Sequence, residues 1–435
     1  MGRVSKIHRR DFLSQLSCIG GAATLGSVLP RIGQEGGQPQ AWRATRISQV
    51  KQPLAIAMWD YSWLLKHHRY GAFENWDEAL DGLVKRGYNA IRIDCFPHLI
   101  AADRAGKVQE SYMHKKTKPG KVLWGHDYSI TTTPRASLAS FLRKCRDRHV
   151  HVGLATWFME QGTGRTKIFS SQDDFVRAWD ETLAFIKSKG LMDVVCYVDL
   201  LNEYPLWHGF EWLQEQLNQR GDVKLFEKNN PDANVPNELF AKKGRFNGLQ
   251  TRFYQEFMSQ ALQQLRAKWP ALDIFACETG GILAQDYKHH GALDKHFWFT
   301  HHPGFAKGSG FSWLTRAKTD HDITERYRKG LEVWRRMRPE LSKWMEGQIQ
   351  QVAIDGKKHG IPVGNTEGWG AVFWDDHPGI DWTFIKEAAE LAVPLALKHG
   401  YRFVCTSNFC EPQFRGMWED LAWHRRMTKT IKAGG

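Results

Sequence analysis

Two glutamates 164 residues apart each stand at the end of an apolar run. Glu203 closes the stretch VVCYVDLLNE, directly after Asn202, and Glu367 closes IPVGNTE ahead of Gly-Trp-Gly. A carboxylate pair of this kind can divide the work of breaking a glycosidic bond. One partner, held protonated, gives its proton to the leaving oxygen. The other, held ionised, attacks the anomeric carbon. Enzymes that do this with retention place the two groups about 5–5.5 Å apart, in surroundings that hold their pKa values apart. The plain alternative for each glutamate is a helix cap or an ion pair with no part in chemistry.

For Glu203 and Glu367 to meet, the elements between them must close on themselves. Short apolar runs fall at 53–60, 88–96, 150–157, 193–201, 273–277, 296–300, 361–365 and 401–406, and each reads as a strand. Helical spacing follows them, as in 75–86 with Ala79, Leu80, Leu83 and Val84 on one face, and in 134–148 with Leu138, Phe141, Leu142 and Cys145. Alternating β and α units predict a parallel sheet. Eight such units predict a single (β/α)₈ TIM barrel, with long βα loops after strands two and four at 99–132 and 205–245. An open doubly wound sheet is the alternative, but no Gly-x-Gly-x-x-Gly turn follows an early strand.

In a barrel the site lies at the C-terminal ends of the strands. There the sequence sets Trp59, Asp60, Tyr61 and Trp63 after strand one, and Asp94, Pro97 and His98 after strand two, with Arg92 inside it. Trp157 and Glu160 follow strand three, Asn202, Glu203, Tyr204 and Pro205 strand four, and Glu278 strand five. His301 and His302 follow strand six, Glu367 and Trp369 strand seven, and Asn408 and Phe409 strand eight. Strands four and seven sit on roughly opposite sides of an eight-membered ring, so their glutamates can converge over its mouth. Trp59, Asp60, Trp157 and Trp369 are the expected substrate contacts among the other residues, since flat aromatic faces stack on sugar rings. Trp63 and Trp207 are further stacking candidates, and Glu278 is a third active-site acid, a structural residue or a substrate contact.

VVCYVDLLNEYP and IPVGNTEGWG resemble the strand-four and strand-seven signatures of clan-A glycoside hydrolases, the cellulase–mannanase-like (β/α)₈ enzymes. GYNAIRIDCFPH, with Arg92, is similar to their second strand. The resemblance implies hydrolysis of a β-glycosidic bond in an oligo- or polysaccharide, with retention, through a covalent glycosyl-enzyme intermediate. It implies Glu203 as general acid/base, Glu367 as nucleophile, and Asn202 on the substrate 2-hydroxyl. Arg92 would lie beneath Glu367 and keep it ionised, and His301 or His302 would contact substrate or nucleophile. Two places depart from the pattern. Pro303-Gly304-Phe305 follows the histidines where the family carries a Tyr, and Ser407-Asn408-Phe409 stands where it often carries a Trp.

Two other classes remain open on the sequence: a metal-dependent barrel hydrolase and a non-catalytic carbohydrate-binding barrel. Histidines at 67–68, 289–290, 301–302 and 149/151 raise the metal reading. Yet His149 and His151 open strand three, away from the mouth, and adjacent residues of a strand point to opposite faces. The expectation is therefore no metal and no cofactor. Lys107, Lys115, Lys116, Lys118 and Lys121 in one long loop, and Lys224 and Lys228 in the other, could meet an acidic glycan or simply be solvated. No basic stripe with interleaved aromatics points to nucleic acid.

The 435 residues carry 42% hydrophobic and 25% charged residues, which excludes a disordered chain or a multi-span membrane protein. Residues 1–30 have the layout of an export signal, with Arg3, Lys6, Arg9 and Arg10 ahead of an uncharged stretch from Leu16 to Leu29. Arg9-Arg10 followed by Asp11-Phe12-Leu13 resembles a twin-arginine signal, an address and not an anchor. The expected partners are thus a carbohydrate substrate and the twin-arginine machinery, with no stable membrane anchor and a periplasmic or secreted location. Residues 31–52 read as a linker and 53–435 as the barrel. Removing 1–30 takes away four basic groups and one acid, leaving a chain that is still basic. Of the seven cysteines, Cys18 lies in the signal and the other six form no Cys-x-x-Cys pair. They read as buried thiols, with Cys405 and Cys410 alone near enough in sequence for a bridge.

Overall fold

The computed structural model describes residues 46–434, apart from 117–127, 161, 207–208, 234, 241, 244, 280–285, 312–319, 371–379 and 409. The expected signal at 1–30 lies outside the described residues. Eight parallel strands form the centre: β1 (Leu54–Asp60), β2 (Ala90–Asp94), β3 (His151–Ala155), β4 (Val195–Asp199), β5 in two pieces (Ile274–Phe275 and Glu278–Thr279), β6 (Leu293–Trp298), β7 (Val363–Asn365, extended by Gly368–Trp369) and β8 (Phe403–Cys405). Each pairs in parallel with its sequence neighbour, and β8 returns to β1 through Leu54↔Phe403 and Ile56↔Cys405. The two pieces of β5 carry the ladder across: Ile274 pairs with Val198 of β4, and Glu278 with Lys295 of β6. The ring therefore closes as a (β/α)₈ barrel.

Amphipathic helices surround it, among them α1 (Trp76–Lys85), α2 (Pro134–Asp147), α3 (Gln172–Ser188), α4 (Gly248–Lys268), α5 (Asp320–His359), α6 (Thr383–Lys398) and α7 (Leu421–Ala433). Their starts follow local chemistry. The Asn75 side chain accepts from the N–H groups of Asp77 and Glu78, and Asn247 forms a capping box with Gln250. Two expectations shift. β6 begins at Leu293, three residues before the predicted run. Between β5 and β6 the described residues hold only a 3₁₀ turn, Tyr287–His289, and no α-helix. The loop after β4 holds helices at Glu211–Gly221 and Val223–Asn229.

The segment read as a linker is, in its described part, packed structure. Arg46–Gln49 is helical, Ile47 is buried, its N–H donates to Asp273 Oδ2 at 2.9 Å, and Arg402 Nη2 donates to the Val50 carbonyl at 2.7 Å. Ile47 thereby joins Leu54, Ile56, Tyr197, Phe275 and Phe403 in the cluster that fills the lower barrel. Three rings dominate this floor, with centroids 5.4–6.0 Å apart between Tyr197, Phe275 and Phe403. Two glycines make room for them. A Cβ on Gly153 would lie 1.9 Å from Tyr197 Cζ, and one on Gly364 would lie 2.4 Å from the Phe403 ring. Gly153→Ala is expected to cost about 1–3 kcal/mol by overpacking, read from urea unfolding. A change within error would mean that the floor yields freely.

The six described cysteines are all buried free thiols. Cys405 and Cys410 are not bridged; Cys410 Sγ lies 3.0 Å from Thr406 Oγ1. Among the described residues no helix is long and apolar enough to cross a membrane.

Candidate active site

Above the aromatic floor the barrel interior turns polar. Arg92 projects inward from β2 and is fully buried. Its Nε and Nη2 grip the two oxygens of Asp60 at 2.9 and 2.8 Å, Nη2 also donates to Glu367 Oε2 at 2.8 Å, and Nη1 donates to Thr366 Oγ1 at 2.8 Å. A buried guanidinium with five fixed donors satisfies several carboxylate oxygens at once. Asp60 takes a further bond from Trp157 Nε1 at 2.6 Å. Glu367 takes a second bond, from Asn408 Nδ2 to Oε1 at 3.1 Å, and Asn408 is itself oriented by accepting the Gly368 N–H at 2.8 Å.

Glu203 arrives from the opposite side. It sits just beyond β4 at a φ of +48°, a left-handed conformation that costs a non-glycine residue about 1–3 kcal/mol and persists only where its surroundings enforce it. Cys277 enforces it here, accepting the Glu203 N–H on Sγ at 3.0 Å and, through its carbonyl, the Tyr204 N–H at 3.0 Å. The same thiol donates to Asn202 Oδ1 at 3.2 Å, which leaves Asn202 Nδ2 a buried donor without a partner among the described residues. Two similar corners, Phe96 at φ +51° and Phe158 at φ +49°, flank Asp94. That carboxylate accepts the N–H groups of Phe96 and Trp157, both at 2.8 Å.

His296, from β6, stands between the glutamates. Its Nδ1 lies 3.0 Å from Glu203 Oε1 and 3.5 Å from Glu367 Oε2. One oxygen of each glutamate and this nitrogen lie within 4.8 Å of one another. The sequence reading missed His296, because it began strand six at that residue and so placed it far from the mouth. The signal was present: Asp294 and His296 are two apart, and residues at that spacing on a strand share a face.

Burial and the Glu203 carboxylate push Glu367 up, to about 7, against the pull of His296 and Arg92. His296 moves up to about 10 although burial opposes it, because Glu367 and Asp294 are anions beside it and Asp294 and Glu203 accept its hydrogen bonds. The raised value is a stability statement. The extra proton affinity is fully expressed below the unfolded value of 6.5 and is lost as pH rises toward 10. Between pH 7 and 8.5, before unfolded-state thiols ionise, the unfolding free energy should fall by up to about 1.4 kcal/mol per pH unit. Below that window His98, His290, His301 and His424, all held neutral by burial, act in the opposite direction. Urea titrations at half-unit steps check this, and a flat profile would contradict a buried imidazolium.

The other expected contacts divide. Arg92, Asp60, Trp157, Asn202, Glu203 and Glu367 come together at one end of the barrel. His301 lies within reach of the Glu203 field, although burial pushes its ring down to about 4. His302 does not join them: it caps the helix Pro303–Ser309, and its Nε2 faces Glu340 at 3.4 Å. Trp59 is also corrected. Its ring packs outward against Phe73, Phe141 and Trp418, and its N–H is spent on the Cys410 carbonyl at 3.0 Å. Trp63 likewise packs on Trp76 and Phe141. Trp369 is fully buried, with its N–H on the Cys405 carbonyl at 3.2 Å. Trp207 and Phe409 lie outside the described residues. Glu278 pairs with Lys295 Nζ at 3.6 Å and receives the Tyr287 hydroxyl, a structural ion pair.

Two groups of possible metal ligands approach within 4.8 Å among the described residues: Cys277, Asp294 and His296, and Glu203, His296 and Glu367. His296 belongs to both. Its Nδ1 faces two carboxylates, and its Nε2 faces Thr366 Oγ1 at 3.2 Å and Asp294 Oδ2 at 3.7 Å. The histidine pairs of the sequence do not converge: His67 stacks on Trp76 at 3.8 Å, and His68 meets Tyr128 at 5.4 Å.

A closed (β/α)₈ ring with paired carboxylates over a buried arginine defines a class of carbohydrate-active barrel. The chain belongs to the sugar-binding cellulase-like family, whose model matches residues 56–432. It is similar to a solved structure from Parabacteroides distasonis, named as a candidate glycoside hydrolase. That likeness has 30% identity and a TM-score of 0.69, and covers 88% of this chain and 94% of that one. A broad-specificity endoglucanase from Clostridium acetobutylicum matches at 12% identity and TM-score 0.48, over 89% of this chain and 99% of that one. An endo-1,4-β-D-mannanase from Thermotoga petrophila matches at 11% and 0.42, over 81% and 87%. No curated protein matches the chain.

Proposed function

We propose that this protein is a retaining glycoside hydrolase that cleaves a β-glycosidic bond of an oligo- or polysaccharide. The observation that carries the proposal is the asymmetric environment of two converging glutamates. Glu367 receives charged and neutral donors from Arg92 and Asn408, which favour its ionised form. Glu203 has one such partner, His296 Nδ1 at 3.0 Å. The retaining reaction needs the proton on Glu203 and the charge on Glu367. In the first step Glu367 bonds to the anomeric carbon while the glycosidic bond breaks, and Glu203 passes its proton to the leaving oxygen. In the second, Glu203 removes a proton from water as the water displaces Glu367. Asn202 Nδ2, buried and without a partner among the described residues, would donate to the sugar 2-hydroxyl.

The test is turnover of a panel of neutral and acidic β-glycans and aryl β-glycosides, with proton NMR of the first-formed anomer. A β-anomer released first supports the reading. An α-anomer first overturns retention, and loss with chelator moves the chemistry to a metal. Binding without turnover would favour a non-catalytic carbohydrate-binding barrel, which the family description also accommodates. The basic chain adds acidic glycans to the substrates worth testing. Export by the twin-arginine route is part of the same proposal. Arg9→Lys with Arg10→Lys should leave the protein in the cytoplasmic fraction, and unchanged export would refute it.

A further inference from the structure

Behind His296 lies a carboxylate that the proposed chemistry does not use. Asp294 is on β6, two residues before His296, and is buried. Its Oδ1 accepts the Thr366 backbone N–H at 2.9 Å, and its Oδ2 accepts the Thr366 hydroxyl at 2.6 Å. A hydroxyl that has given its hydrogen to Asp294 can only accept from its other neighbours. Thr366 Oγ1 therefore accepts from Arg92 Nη1 at 2.8 Å and from His296 Nε2 at 3.2 Å. A hydrogen on Nε2 completes this arrangement, in which Arg92 Nη1 also approaches Nε2 at 3.4 Å and Asp294 Oδ2 lies 3.7 Å away on the same side. The ring is thus oriented so that Nδ1 points at Glu203 and Glu367. Thr366 is also the residue directly before Glu367, so the same carboxylate pins the backbone that carries it.

We propose that Asp294 is a positioning residue that fixes the ring of His296 and, through Thr366, the carboxylate of Glu367. It touches neither the cleft carboxylates nor any group that would meet substrate. Its reach is through one hydroxyl and one imidazole, both fully buried. The groups that face His296 are Arg92 from β2, with Asp60 of β1 behind it, Glu203 after β4, Cys277 after the first piece of β5, Thr366 and Glu367 after β7, and His301 after β6. Among the described residues Asp294 is the anion on the Nε2 side, so its charge favours a ring protonated on both nitrogens. A cation there holds the two glutamates near each other without direct repulsion. The inference extends the proposed mechanism, but the state of the ring can be read without any substrate.

Asp294→Asn keeps the shape and removes the charge. In protein labelled with ¹⁵N-histidine, His296 should remain protonated on both nitrogens well above neutral pH in the wild type. In the variant its midpoint should fall by at least about one unit, tenfold in proton affinity. With a substrate in hand, kcat should drop roughly tenfold or more with KM little changed, the pattern of lost transition-state geometry. The alkaline limb of the pH profile should move to lower pH. If Asp294→Asn does not fold, Thr366→Val and Thr366→Ser provide the same comparison, since only serine keeps the bridging hydroxyl. The valine variant should lower the His296 midpoint and the serine variant restore it. An unmoved midpoint in Asp294→Asn, or equal midpoints in the two threonine variants, overturns the inference. A moved midpoint in a protein that hydrolyses nothing supports the positioning role and refutes only the proposed activity.

Discussion

Glu367→Gln should lower kcat by about 10⁴-fold while leaving the protein folded, the scale seen when a catalytic residue is removed from a site whose remaining parts are intact. The amide keeps the shape and the contact with Asn408 but cannot form the glycosyl ester. Stability should fall somewhat, because an amide that keeps the Asn408 contact turns its NH2 toward the Arg92 Nη2 donor, which the carboxylate accepts at 2.8 Å. Glu203→Gln should cost less, about 10²–10⁴-fold, and least for aryl glycosides whose leaving groups need no proton. Azide added to Glu367→Gly should restore turnover as a glycosyl azide of opposite anomeric configuration, since the small anion takes the vacated face. Full activity in both glutamine variants, on a substrate the wild type cleaves, would refute the two-carboxylate reading.

Arg92→Met should be the most destabilising single change in the site, by about 3–5 kcal/mol, the loss expected when one partner of a buried ionic network is removed. Arg92 serves three partners from two other strands: Asp60 on β1, and Thr366 and Glu367 beyond β7. Methionine has comparable length but leaves both buried carboxylates without the guanidinium that compensates them. Neutralising one of them should therefore recover part of the loss, and Arg92→Met combined with Glu367→Gln should be more stable than Arg92→Met alone. Denaturant midpoints of the two singles and the double give the coupling. Additive effects within about 0.5 kcal/mol would mean that Arg92 and Glu367 are energetically independent despite their 2.8 Å contact.

The places where the sequence misled share one cause. Strand six was sought as an apolar run, and His296–Thr300 is more apolar than Leu293–Lys295. At that height, however, the barrel interior is a network of ions, so the inward positions are Asp294 and His296 and hydropathy points the wrong way. Trp59 was taken as a mouth residue because it ends a strand. Side chains alternate along a strand, and with Asp60 directed to Arg92 its neighbour Trp59 must face the helices. His302 was grouped with His301 by adjacency, yet it starts a helix and leaves the barrel axis.

What the sequence determined alone was the local and periodic part: eight apolar runs with amphipathic stretches between, two glutamates and an arginine at their ends, and Asn202 beside one of them. Each is readable because strand and helix periods act over a few residues. Only the tertiary structure decided which histidine stands between the glutamates, that Asn408 and not an aromatic group supports Glu367, and that Asp294 lies behind them. These contacts cross the ring between residues 40 to nearly 300 positions apart. They depend on how each strand registers against its neighbours, on the register shift between Met58 and Asp60, and on a β5 split into two pieces, none of which has a local signature in the chain.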